Sequence, residues 1–223
     1  MRTLQHRITT DTRYVLAGFP VTVIAFVLVV AGVAAGLGSA VVFVGLPVLA
    51  ATAVLARKFA DAERAALPGV TGQAFSRPEY PRAPVGAGWF RRTMTPIANG
   101  QAFLDLVHAI VALPFAIVSF VLTAVWWAGA IAGLTFPIYG WALAKIPGLD
   151  GGLPALLGLG DGDGVFVAFN TAAGLLFALT LPAVVRIAAT LKASLAQALL
   201  TRPAPLPQPV RHPYEYEESV LVA

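Results

Sequence analysis

The sequence predicts an all-α integral membrane protein, a four-transmembrane-helix bundle built from two parallel-repeat helical hairpins. Three observations predict it. The chain of 223 residues is 58% hydrophobic and 12% charged, with mean hydropathy +0.79. A soluble domain carries about 25% charged residues, so there is too little charge here to cover a water-facing surface. Two long stretches carry no Asp, Glu, Lys or Arg, one between Arg13 and Arg57 and one from Leu106 to Ala144. Finally, Asp11, Pro20 and Phe26-Val27-Leu28 recur in the same spacing as Asp105, Pro114 and Phe120-Val121-Leu122.

A helix needs about 20 residues to cross the hydrocarbon core. The first uncharged stretch therefore holds two spans, at 14–36 and 39–56, with a turn at Gly36-Leu37-Gly38-Ser39. It is too long for the apolar region of a signal peptide. The second stretch has no turn chemistry at Ser119–Trp127 and breaks only at Thr135-Phe136-Pro137. It reads as one span, 106–133, followed by an outer loop, 134–164. The last span is 165–185, between Asp163 and Arg186.

Charge sets the expected topology. With four spans and the N-terminus in the cytoplasm, all of the 15 Lys and Arg but Lys145 fall inside, as the positive-inside rule requires. A five-span chain would put Arg186, Lys192, Arg202 and Arg211 outside. Trp126, Trp127, Tyr139 and Trp141 then read as an outer aromatic belt, and Tyr14 with Trp89-Phe90 as an inner one. The net charge of +4 is accounted for by these basic residues, not by nucleic-acid binding.

Both repeats begin inside, so they form a parallel two-plus-two arrangement. Gly32 and Gly36 parallel Gly129 and Gly133, and glycines four apart let helix backbones approach closely. Pro20, Pro47, Pro114 and Pro182 are candidate kinks. The second span continues as a helix through Leu67 and stops at Pro68-Gly69. The remainder of the cytoplasmic loop, 57–103, holds Pro78, Pro81 and Pro84, then Trp89, Phe90, Arg91 and Arg92, which suit the inner leaflet. Residues 186–200 continue the last span as a helix. The 201–223 tail is first proline-rich and then acidic at Tyr214–Glu218.

No catalytic motif, phosphate loop or zinc pattern is present. There are no cysteines, and His6, His108 and His212 have no matched partners for a metal site. No cofactor is expected. Asp161-Gly162-Asp163-Gly164 lacks most of a calcium loop and reads as a helix cap. Asp105 and His108 share a helix face and form an interfacial hydrogen-bonding pair or, less expectedly, a proton relay. Asp11 and Asp105 read as helix-starting acids. No charge sits at mid-depth of a span, where Thr22, Ser119, Thr123, Asn170 and Thr180 are the polar groups. That argues against a transporter acting alone.

Three stretches then carry a resemblance: Arg13-Tyr14-Val15-Leu16-Ala17-Gly18-Phe19-Pro20, Val44-Gly45-Leu46-Pro47 running into Leu55-Ala56-Arg57, and Gly88-Trp89-Phe90-Arg91-Arg92. With the second hairpin, from Ala112-Leu113-Pro114 to Val185-Arg186, the chain resembles the sensor domain found at the N-terminus of many actinobacterial membrane histidine kinases and as freestanding proteins. The resemblance covers about 10–200. It implies a four-helix membrane module that senses a membrane or envelope signal and passes it on. No kinase domain follows within these residues, so the output would come from a separate partner: a histidine kinase, a regulator or a transporter subunit. A homo-oligomer and contact with membrane lipid are also expected. The other readings are an accessory or assembly subunit of a complex such as an ABC transporter and, more weakly, a small-solute permease. None of the three readings is an enzyme.

Overall fold

The computed structural model describes residues 4–39, 44–76, 78, 80–81, 83–84, 86–95, 97–146 and 152–201, with Arg92 and Thr93 described in their backbone only. Those residues form six helices and no strand. In chain order they are α1 (Leu4–Gly38), α2 (Gly45–Thr71), α3 (Trp89–Met94), α4 (Gly100–Leu143), α5 (Gly152–Leu156) and α6 (Asp163–Leu200). The 201–223 tail beyond Thr201 lies outside the described residues.

Helices α1, α4 and α6 are each long and apolar enough to cross a membrane. The chain is a multi-pass membrane protein. Helix α2 does not qualify as a fourth crossing on the same grounds. Its apolar part runs only from Gly45 to Ala56 before Arg57 and Lys58, short of the roughly 20 residues a crossing needs. The rest of the expected 39–56 span, residues 40–43, lies outside the described residues.

Helices α1 and α2 form one antiparallel hairpin and α4 and α6 another. Small residues set both. A Cβ on Gly32 would strike the Thr52 side chain, and one on Gly36 would meet Leu49 at 2.6 Å. In the second hairpin a Cβ on Gly129 would meet Phe177 at 2.9 Å, and Gly133 packs backbone to backbone against Gly174. A side chain at any of these points would push the helices apart. Ser119 donates to the Ala188 carbonyl at 2.9 Å and Trp126 to the Thr180 hydroxyl at 3.0 Å, tying α4 to α6 along its length.

The hairpins do not pack in parallel, and this corrects the expected two-plus-two arrangement. Phe19 stacks on Phe120, with ring centroids 4.3 Å apart, while the Trp127 indole donates to Thr12 at 3.2 Å. Val29 packs with Ala109. Descending α1 from Val29 to Thr12 thus ascends α4 from Ala109 to Trp127, so the two helices run antiparallel. Asp11 meets Arg186 while Gly18 abuts Lys192, so α1 and α6 run parallel. The hairpins therefore overlap at their bases and their turns point away from each other. Trp126 and Trp127 serve helix contacts near the joint, not an outer belt. The repeat could not reveal this, because matching apolar patterns set depth along a helix and not the direction in which two hairpins meet.

Two helix ends also differ from expectation. Helix α4 runs through Pro137 to Leu143, where a break at Thr135-Phe136-Pro137 and an outer loop from 134 were expected. Packing overrides the proline: Phe136 is buried against Phe166, at 5.4 Å between ring centroids, and Gly140 lies close beside Phe136 and Val167. Helix α2 runs past Pro68-Gly69 to Thr71 and ends at Gly72, whose φ of 73° suits glycine and whose N–H caps the Pro68 carbonyl. Pro20, Pro114 and Pro182 lie inside α1, α4 and α6. Pro47 sits in the first turn of α2, where its missing N–H has no intrahelical partner to lose.

The arrangement predicts a long distance. Counting about 1.5 Å per residue from the level where Thr12 meets Trp127, Leu37 and Ile138 lie about 55 Å apart. Both are exposed and the chain has no cysteine. Spin labels on Leu37→Cys and Ile138→Cys in detergent should report that separation. Parallel hairpins would bring them to about 20 Å.

Candidate functional site at the joint between the hairpins

Where the bases overlap, buried and half-buried charged side chains from all four long helices come together. Helix α2 supplies Asp61, Glu63 and Arg64 because its polar second half turns inward against α4 and α6. Helix α6 supplies Arg186 and Lys192, α1 supplies Asp11, and α4 supplies Asp105 with His108.

Asp105 is the centre of the tightest group and is fully buried. Arg64 Nη2 donates to one of its oxygens at 2.5 Å, and the Tyr80 hydroxyl donates to the other at 2.6 Å. Gln101 Nε2 adds a bond to Asp105 and another to the Leu199 carbonyl, both at 3.3 Å. Arg64 also donates from Nη1 to Asp61 and from Nε to the Leu200 carbonyl, at 2.8 and 2.9 Å. That carbonyl is among those a helix C-terminus leaves without a partner, so Arg64 caps α6 while pairing with α4. Burial disfavours the guanidinium charge, but Asp105, Tyr80 and Asp61 more than offset this, and its pKa is raised. Burial and the bond to Asp105 push the Tyr80 phenol up to about 12. It stays protonated and donating through the neutral range. The guanidinium of Arg57 lies 3.7 Å from the centre of the Tyr80 ring.

Two further groups tie α1 into the joint. Lys192 Nζ reaches both Glu63 oxygens, at 2.8 and 3.0 Å, and lies 4.0 Å from the centre of the Tyr14 ring. The Tyr14 hydroxyl donates to the same Glu63. Arg186 Nη1 pairs with Asp11 at 3.3 Å and donates to the Val70 carbonyl at 2.8 Å. The pairing is crossed. Asp11 of the first hairpin takes its arginine from the second, and Asp105 of the second takes its arginine from the first. Each arginine also bonds a carbonyl at the C-terminal end of a helix in the opposite hairpin.

The two crossed pairs differ in burial. The side chains of Arg64 and Asp105 are 4% and 0% exposed, whereas Arg186 is 35% exposed. Removing one partner of a buried pair strands the other charge and costs about 3–5 kcal/mol. Asp11 is itself buried, at 6%, but solvent reaches its arginine, and a charge left within reach of water costs about 1 kcal/mol or less.

Sequence reasoning placed Asp11 and Asp105 at matching positions but read them as helix starts. Its candidate glycines lie at contacts within each hairpin, away from this joint. Trp89, Phe90 and Arg91 are exposed on α3, and the Arg92 side chain lies outside the described residues. The sequence places Glu63 and Arg64 in the helix that continues the second span, Arg186 and Lys192 in the one that continues the last, and Tyr80 in the loop between, with no partner for any of them. The available signal was the recurrence itself: an acid at the same depth in both halves needs a cation in each. His108 is buried beside the joint, and Asp163 lies in the first turn of α6 behind Gly162. Among the described residues no group of three His, Asp or Glu side chains is placed to hold a metal ion.

The family described as "Putative sensor" matches residues 14–200. The chain belongs to this family. The match takes in both hairpins and ends with the last residue of α6, so the joint built on Glu63, Arg64, Asp105, Arg186 and Lys192 falls within the sensor domain. No curated protein and no solved structure matches the chain.

The asymmetry of the crossed pairs predicts unequal costs. Asp105→Asn should lower the unfolding free energy in detergent by about 3 kcal/mol, and Asp11→Asn by about 1 kcal/mol or less. Equal losses would show that burial does not separate the two pairs.

Proposed function

We propose that this chain is a non-enzymatic sensor or regulatory module of the plasma membrane that passes a membrane or envelope signal to a separate cytoplasmic or membrane partner. The sensor-family match supports the sensing role. The observation that carries the mechanism is the joint. Each hairpin has its own apolar end, and the two meet at a base where buried charge pairs sit beside an apolar cluster that includes Val15, Leu67, Ala188 and Leu200. A change in how either hairpin sits in lipid is therefore transmitted to Arg64, Asp105, Glu63 and Lys192, and through Tyr80 to the segment between α2 and α4.

The membrane placement is part of the same proposal. Helix α2 returns beside α1 as the fourth crossing, and both termini lie on the cytoplasmic side with the basic residues. A shift of one hairpin against the other at the shared base is what a partner reads. The partner is a histidine kinase, a regulator or a second copy of the chain. Crossed pairs suit such a switch, since a charge can exchange partners while staying paired, whereas an apolar seam has no alternative register of comparable specificity.

Cross-linking in native membranes followed by purification tests the reading. The expected result is capture of a kinase or regulator whose output changes in an Arg64→Gln background, with the partner itself folding without this chain. Recovery of a stoichiometric transporter that needs the chain in order to assemble would replace the sensor by an assembly subunit. Solute flux through the purified chain alone in liposomes would replace it by a permease.

A further inference from the structure

A groove of about 480 Å³ opens beside the joint, between the first turns of α1, the second half of α2 and Lys192 of α6. We propose that it binds the headgroup and first acyl segment of an anionic phospholipid of the inner leaflet.

The groove exists because its walls are small. Ala17 and Gly18 on α1 face Ala62 and Ala66 on α2, and a Cβ on Gly18 would meet Lys192 Nζ at 2.8 Å. Charge is graded along it. At the floor, Lys192 and Glu63 satisfy each other, and Tyr14 spends its hydroxyl on the same carboxylate. At the mouth, Arg13 is exposed and has no ion pair among the described residues. The unspent charge is therefore one cation at the polar end. The other end is lined by Val21, which is 41% exposed and begins a row with Ile24 and Leu28 on the outer face of α1. That row shares one helix face by its spacing. From Arg13 to Val21 the helix rises about 12 Å, roughly the step from headgroup to acyl chain. A soluble anion would use only the arginine. A phospholipid uses the arginine, the small-walled slot and the apolar row in the order in which the groove presents them.

Lys192 at the floor belongs to the other hairpin, so an occupied groove is felt at the joint. This consequence rests on the sensor reading, since it names the class of signal. The binding itself does not, and it can be read on the purified chain with no partner present.

The test is native mass spectrometry of the chain in neutral detergent, titrated with dioleoyl phosphatidylglycerol or dioleoyl phosphatidylcholine. One phosphatidylglycerol should bind with a preference of about fivefold, the worth of one basic residue near an anionic lipid surface. Arg13→Gln should abolish the preference, and its exposed side chain leaves folding unaffected. Ala62→Leu should weaken both lipids by filling the slot. Glycerol 3-phosphate should not compete at matched concentration. Equal binding of the two lipids, a preference that survives Arg13→Gln, or displacement by glycerol 3-phosphate would each overturn the proposal. Any of these results leaves the partner-capture test of the sensor reading untouched, and a failed capture leaves this one untouched.

Discussion

Burying a charge inside a protein is costly unless an opposite charge and further hydrogen bonds accompany it. That constraint organises this molecule. Each hairpin closes on itself through small residues, and neither needs the other for its apolar end. An apolar cluster drawn from α1, α2 and α6 joins them, and the demand of Asp105, Glu63, Arg64 and Lys192 for partners fixes how they meet. Each group meets that demand across helix boundaries, and Arg64 and Arg186 add a carbonyl at the end of an opposing helix. The bases are locked by directional bonds, while the hairpin ends beyond them contact only themselves.

Much of the helical layout was legible, for a physical reason. Uncharged stretches of membrane-crossing length leave few alternatives to helices, though α1 runs through the expected turn to Gly38 and α2 begins only at Gly45. Local chemistry misled where packing outweighs it. Pro137 looked like a terminus, but Phe136 against Phe166 and Gly140 against Val167 hold α4 together beyond it. The joint was half visible. Asp11 and Asp105 stood at matching positions, yet Arg186 lies far along the chain from the first and Arg64 well before the second. Nothing in the local pattern separates an arginine facing water from one facing a buried acid. The direction in which the hairpins meet was not legible at all, because their bases carry both signs and can pair in either orientation.

The same layout links the sensor family to a mechanism. In the proposed mechanism, two hairpins that share one charge-paired base pass a change in lipid contact to a common point. The groove beside Lys192 lies at that point, and Tyr80 carries it into the segment that leads to α4. The part of the molecule that meets lipid and the part that would meet a partner are thus a few side chains apart.

The account stands or falls on whether the crossed pair is an energetic joint between the hairpins. A double-mutant cycle on Arg64→Met and Asp105→Leu, read by reversible unfolding in detergent, measures this directly. The account predicts two destabilised single variants, each stranding a buried charge, and a double variant that recovers about 2 kcal/mol or more of their summed loss. Additive losses would contradict it, since they would mean that the two side chains sit side by side without depending on each other.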